Sequence, residues 1–295
     1  MDANTPLTHF TPCLWLAADV AFSHGTVEGV HAPEVWRAAI KDEMLRLFPD
    51  RAAMLLQPVR TRAQGANFDC PGLVIECARA PASRLLLKFL GQASGHAQAV
   101  LISLESALAQ GIGKRAVTGT VTVLSARRGR AWHPVGVPTR AGALDDFLLD
   151  PVDLSELGPR NGARRLRVQT RSRCMLTAGG KLLRQTPTPE TFIRFATERI
   201  NRVAQVWGSD TPPLAPNTVE ELNERARAST LIHATWKRVL RTQRETYPSH
   251  GFVGAMVLEV DADDALANAL AAGGFFHIGQ QSSIGLGGYD VGWDD

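Results

Sequence analysis

The arginines are the residues best placed to do chemistry in this chain. Positions 160 to 173 hold six arginines and no acid, and positions 127 to 140 hold four more, again with no acid. Over 164–176 the residues alternate as in a strand. Leu166, Val168, Thr170, Ser172, Cys174 and Leu176 share one face, and Arg165, Arg167, Gln169, Arg171 and Arg173 share the other. Same-face neighbours on a strand stand about 6.6 Å apart, so four guanidiniums form a ladder, and guanidinium forks suit phosphate oxygens. The bland alternative is edge-strand charge that discourages aggregation, although such edges usually mix in acids. A second basic cluster, Arg238, Arg241 and Arg244, follows Trp236 and reads equally well as a solvated strand end.

The stretch His277-Ile-Gly-Gln-Gln-Ser-Ser-Ile-Gly-Leu-Gly-Gly-Tyr289 is the second candidate. Gly279, Gly285 and Gly287 permit close backbone approach, while Gln280, Gln281, Ser282 and Ser283 supply donors. Successive backbone N–H groups in such a loop can cradle a phosphate. A Walker lysine and a strand-to-helix setting are both missing, so a nucleoside triphosphate site is not expected, and a purely structural turn is the competing reading. Gly111-Ile-Gly-Lys114-Arg115 is a shorter version in the first half. His24 and His31 precede a helix expected to open at Pro33, whose N-terminus favours an anion. Either histidine is an acid–base candidate, or simply a solvated loop residue. The chain has no G-x-S-x-G, no H-E-x-x-H and no acidic cluster at metal spacing, so neither a metal nor another cofactor is expected.

Composition sets the outer limits. Hydrophobic residues make up 44% and charged residues 21% of the 295, and the net charge is only +3. These values exclude a disordered tail, a collagen-like chain or a coiled coil, and they leave positive surface to local clusters rather than to the total. Cys13, Cys70, Cys77 and Cys174 form no C-x-x-C pair and read as free thiols in a reducing compartment. No run approaches the ~20 apolar residues needed to span a bilayer. A cytoplasmic protein with no membrane association is expected.

Periodicity then supplies the elements that must position these groups. A buried strand over 14–22 is followed by a helix from Pro33 to Pro49, strands over 72–78 and 84–90, a helix stopping at Gly111, and a strand over 116–124. The second half repeats the order. The arginine strand leads to a helix capped at Thr188-Pro189 and ended by Gly208, then a polar helical stretch over 219–227 and strands over 231–241 and 252–260. A short Ala-rich helix over 262–272 and two segments flanking the glycine-rich loop complete it. Two β-α-β-β-α-β units in tandem define an α+β protein of two ferredoxin-like domains, spanning 1–155 and 160–295 with a boundary near Pro151–Gly162.

With these pieces in place, the chain resembles the CRISPR-associated precursor-RNA processing endoribonucleases of the repeat-associated mysterious protein superfamily. Leu87-Lys-Phe-Leu-Gly91, a helix and Gly111-Ile-Gly-Lys-Arg115 are similar to the family's first-domain pattern. Leu166-Arg-Val-Gln-Thr170 with Gly180-Lys181, then Phe192 to Gly208 with Arg199-Ile200, resemble the start of its second domain. Trp236 to Gln243 with Gly251-Phe-Val-Gly254, and Phe276-His-Ile-Gly279 to Gly285-Leu-Gly-Gly-Tyr289, resemble its C-terminal stretch, the last being the most specific match. Arg171-Ser172, Val239-Leu240 and Thr242 depart from the family pattern and suit an arginine-rich variant site, such as a divergent, type IV-like subtype would use.

The resemblance implies metal-independent cleavage of CRISPR repeat RNA by the 2′-OH next to the scissile phosphate. Under it, His31 or His24 is the acid or base, and Arg37, Arg238 and Arg241 stabilise charge. Arg127, Arg128, Arg130, Lys114, Arg115, Arg244, the Arg165–Arg173 ladder and the glycine-rich loop hold the repeat hairpin. The partners it implies are a crRNA hairpin and a CRISPR ribonucleoprotein complex. Two other readings stay open: a subunit that binds guide RNA without cutting, and a structural or small-molecule-binding protein with no salt-sensitive RNA affinity.

Overall fold

The structure is a computed structural model, described here for residues 13–24, 33–56, 70–77, 84–113, 116–128, 131–135, 164–178, 181–208, 214–239, 250–260, 264–280, 282 and 285–294. The expected boundary near Pro151–Gly162 lies outside the described residues.

In the first domain β1 (Leu14–Phe22) leads through α1 (Pro33–Leu47) and α2 (Pro49–Leu56) to β2 (Leu73–Cys77) and β3 (Arg84–Phe89). A 3₁₀ turn at Gly91–His96, α3 (Ala97–Gln110), β4 (Gly119–Arg128) and β5 (Ala131–Pro134) follow. The antiparallel sheet runs β2-β3-β1-β4-β5, which is the ferredoxin-like order with one strand added at an edge. Apolar alternation sets the register: Leu16 lies between Leu87 and Ala126, and Ala18 between Leu85 and Leu124. These join Trp36, Ile40 and Met44 of α1 and Leu101, Leu104 and Leu108 of α3 in one buried core. Phe48 N donates to Met44 O as Pro49 opens α2, a helix the sequence reading leaves unassigned.

The second domain starts with β6 (Arg165–Thr170) and a small hairpin, β7 (Thr177–Ala178) and β8 (Lys181–Leu182). Next come α4 (Pro189–Trp207), α5 (Pro216–Ala228), β9 (Thr230–Ala234), β10 (Lys237–Val239), β11 (Gly251–Val253), β12 (Ala255–Glu259), α6 (Asp264–Phe276) and β13 (Tyr289–Trp293). Its main sheet runs β13-β6-β12-β9, again the ferredoxin-like order. Thr188 caps α4 as expected, its Oγ1 accepting from Thr191 N at 3.2 Å. Helices α4 and α6 pack closely, since a Cβ on Gly273 would stand 2.5 Å from Cβ of Ala196.

The expected two-domain α+β fold is therefore present, with three corrections. The arginine strand stops at Thr170 rather than running to 176, and it lies inside the sheet between β13 and β12, not at an edge. The strand expected over 231–241 is two strands, β9 and β10, in different sheets, and the one expected over 252–260 divides at Gly254 into β11 and β12. The physical reason is one junction. Gly254 O accepts from both Thr170 N and Thr170 Oγ1, which turns the chain where β6 ends.

The domains are joined by a buried tryptophan. Trp207, at the end of α4, donates its indole N–H to Cys70 O at 2.9 Å. Its ring fills the space a Cβ on Gly72 would occupy.

Candidate functional site

The centre of the molecule is the meeting of the glycine-rich loop with the segment after β6. Arg171 N and Ser172 N both donate to Gly288 O, at 2.9 and 3.2 Å, and Gly287 N donates to Arg173 O at 2.8 Å. Gly288 N donates to Ser172 Oγ at 3.0 Å, and Gln280 N to Met175 O at 2.9 Å. On its other side this segment bridges to β11 through Cys174 and Phe252, and β11 pairs with β10, placing Arg238 opposite Phe252. The basic strand β10 and the glycine-rich loop thus flank one short segment.

The first domain closes the loop from below. Gly285 has φ +74 and a Cβ there would stand 2.5 Å from Ile75 O of β2 and 3.5 Å from Pro33 Cγ. Only glycine fits that approach without strain. Pro33 opens α1, so the first turn of that helix lies against the loop. His31 is two residues upstream, outside the described residues.

A charged cluster seals this junction. Glu76 of β2 places Oε1 2.6 Å from His277 Nε2 and 3.3 Å from Arg171 Nη2, and Oε2 3.3 Å from Lys88 Nζ. Lys88, on β3, is fully buried, reaches Phe275 O at 3.3 Å, and sits over the rings of Trp15 and Phe275 at 4.8 and 4.9 Å. His277 has φ +62, uncommon for a side-chain-bearing residue, and its Nδ1 lies 3.0 Å from Leu286 O. The ring thus spans the two ends of the loop, with Nε2 against Glu76 and Nδ1 beside Leu286 O. Arg171 also approaches Asp290 Oδ1 at 3.3 Å and donates to Gly274 O at 3.1 Å.

Burial sets the protonation of this cluster. It pushes the Glu76 carboxyl up, but the combined pull of Lys88, Arg171 and His277 outweighs it and holds the group well below the ordinary 4.5. Burial draws the Lys88 ammonium down to about 7 against the attraction of Glu76, and the His277 imidazole down to about 4. Because Oε1 and Nε2 are only 2.6 Å apart, Glu76 and His277 titrate as a pair.

The structure sorts the residues singled out by sequence. Arg165 and Arg167 stay exposed on β6, but Arg171 turns inward to Glu76 and Arg173 lies beyond the strand, so the four-membered ladder is reduced to Arg165 and Arg167. The acids missing from that stretch come from neighbours in space: Asp294 lies 3.6 Å from Arg167, and Glu259 of β12 pairs with Arg165 in register. In the loop, Gly285, Gly287 and Ser282 are buried, and Gly279 and Gln280 are half-buried. A Cβ on Gly287 would fall inside contact of Ile278 O. His24 is exposed just past β1. Arg37, on α1, donates to Leu56 O at 2.5 Å. Arg238 is exposed on β10, and Arg127 and Arg128 lie on β4. Lys114, Arg115, Arg130, Arg241, Arg244, Gln281 and Ser283 lie outside the described residues. Among the described residues no group of three or more His, Cys, Asp or Glu side chains is arranged to hold a metal, and no helix is long and apolar enough to cross a membrane.

Sequence reasoning missed Glu76 and Lys88 as functional candidates. Glu76 is the single charge of LVIEC, and Lys88 is a charge set between apolar neighbours inside RLLLKF, which is the signal that marks a buried partner.

Comparison with known proteins places these features. Residues 166–289, from the arginine strand to the end of the glycine-rich loop, match the family described as CRISPR-associated endoribonuclease Cas6. Of solved structures, a Cas6 product complex aligns with TM-score 0.60 at 16% identity, covering 95% of this chain and 99% of that one. Cas6 of Thermus thermophilus aligns with TM-score 0.56 at 15% identity, covering 95% and 98%. A partial Cas6-RT-Cas1–Cas2 complex aligns with TM-score 0.61 at 14% identity, over 98% of this chain and 47% of that one. No curated protein matches. The resemblance drawn from the motifs holds: the chain has the Cas6 fold throughout, and its second domain is similar in sequence to the Cas6 endoribonucleases.

Proposed function

We propose that this protein processes CRISPR repeat RNA, cutting it by attack of the 2′-OH on the adjacent phosphate without a metal ion. The observation that carries this reading is the family match over 166–289, which takes in Arg167 of β6, Arg238 of β10 and the glycine-rich loop. Cleavage of this kind needs a base near the 2′-OH, cations for the charge on the phosphorane and a proton for the leaving oxygen. The junction of α1 with the loop sets Pro33, two residues after His31 in sequence, beside Gly285, while Arg238 is exposed on β10. In this reading His31 or His24 is the acid or base, and Arg37, Arg238 and Arg241 stabilise charge. Arg165 and Arg167 hold the backbone of a repeat hairpin, whose deep A-form major groove leaves phosphates and shape as the features to bind. The product hairpin stays bound, and the protein delivers it to a ribonucleoprotein complex.

The test is cleavage of a repeat RNA in EDTA beside a copy with one 2′-deoxy residue at the cut site. Cutting of the first and not the second supports the reading. Tight binding with no cutting favours a subunit that only holds guide RNA, and absence of binding overturns both.

A further inference from the structure

The registers of the first domain's sheet place four residues in one row. Lys88 of β3 lies opposite Trp15 of β1, Leu16 lies opposite Ala126 of β4, and Arg127, the next residue, lies opposite Trp132 of β5. The contacts follow the registers: Lys88 Nζ sits 4.8 Å from the Trp15 ring, Arg127 Cζ 4.1 Å from the same ring, and Trp132 meets Trp15 edge-on at 5.5 Å. Cation and aromatic alternate across the sheet, from the fully buried ammonium at the domain junction to an indole at the open edge.

Trp132 is 37% exposed on an edge strand whose other residues are also exposed. Tryptophan is usually well covered, so this exposure is unusual. The row also leaves a donor unmet, since Trp15 Nε1–H is buried with no acceptor among the described residues.

We propose that Trp132, backed by Trp15 and Arg127, is a stacking platform for one unpaired base of the RNA that this protein processes, an inference that rests on the RNA-processing reading. An aromatic ring held edge-on by a second ring is a rigid surface, and every nucleobase has a π-face to lay on it. The Arg127 guanidinium stacked on Trp15 keeps positive charge beside the platform, where the nucleotide's phosphate must pass. A protein partner is the other occupant an exposed tryptophan could take, but the positive charge of Arg127 beside the rings suits a phosphate-bearing chain.

The experiment places 2-aminopurine at each unpaired position of the repeat RNA in turn and compares wild type, Trp132→Ala and Trp132→Phe. Stacking on the indole quenches the probe at one position in wild type. Trp132→Ala restores its emission there and weakens binding by about 5- to 100-fold, as loss of one base–aromatic stack does. Trp132→Phe retains most of both. Unchanged affinity and quenching in Trp132→Ala overturns the platform, and if that variant loses only association with a protein partner, the surface is a protein-docking site. A wild-type protein that binds no repeat RNA overturns the functional reading instead. Because Trp132 is at an exposed edge, unchanged far-UV circular dichroism of both variants separates these outcomes from misfolding.

Discussion

Glu76 of the first domain and His277 of the second meet at 2.6 Å, and this contact joins β2 to the residue that opens the glycine-rich loop. Lys88 and Arg171 lie 3.3 Å from the same carboxylate, so one buried anion serves three basic groups contributed by both domains. A carboxylate in that position orders the loop's first residue and the domain junction together.

Replacing Glu76 by Gln keeps the side chain's shape and removes its charge. Lys88 and Arg171 then lack their shared counter-ion in a buried site, which costs about 3–5 kcal/mol. Chemical denaturation measures the loss. Combining Glu76→Gln with Lys88→Met restores part of the stability, because the stranded buried cation goes too. Strict additivity of the two changes contradicts the coupling described here.

The cluster also sets a pH dependence. His277 has a folded pKa of about 4 against an ordinary 6.5, so the unfolded chain takes up the proton first and stability falls as pH drops from 6.5 towards 4. Glu76, held below 4.5 by its neighbours, contributes stability above that value and loses it on further acidification. Lys88 acts in the same direction at higher pH: with a folded pKa of about 7 against 10.5, it makes stability rise as pH increases from 7 to 10.5. Urea midpoints across pH 4 to 10 should climb in the wild type, and the climb above 7 should flatten in Lys88→Met.

Gly285→Ala places a methyl 2.5 Å from Ile75 O at φ +74. Strain of this kind costs about 1–3 kcal/mol, and relief requires the loop to lift from β2. Faster hydrogen exchange over 285–289 with retained protection in β1 and β3 is the expected signature, together with weaker RNA binding. Exchange unchanged in the loop contradicts its seating on the first domain.

If Arg165 and Arg167 contact phosphates, changing both to Gln lowers the slope of log affinity against log salt by about 2 in magnitude, one for each neutralised phosphate. A slope equal to that of the wild type places the RNA on another surface.

The two-domain plan was legible because its elements are long and strongly patterned. Leu166 and Val168 alternate with exposed arginines, Thr188-Pro189 caps α4, and Gly111 and Gly208 end their helices. The fate of Arg171 was not legible. Its place in the alternation is the same as that of Arg165, and only the turn fixed by Thr170 and Gly254 sends it to Glu76. The same limit applies to Gly285, which seats against Ile75 O, a contact set by the packing of one domain on the other. A period of two reports which side of a strand a residue occupies, not what a distant segment lays on it.

The Trp207 insertion has a consequence for the order in which the protein matures. While the chain is being made, the first domain leaves the ribosome with its slot beside Gly72 empty and Cys70 O without its indole donor. The plug for that slot ends α4, which is synthesised only after β6 and the β7–β8 hairpin. Glu76 and Lys88 wait longer still, because His277 follows α6. The newborn first domain is therefore unfinished, with two buried positions, one apolar and one charged, filled in sequence as the second domain emerges.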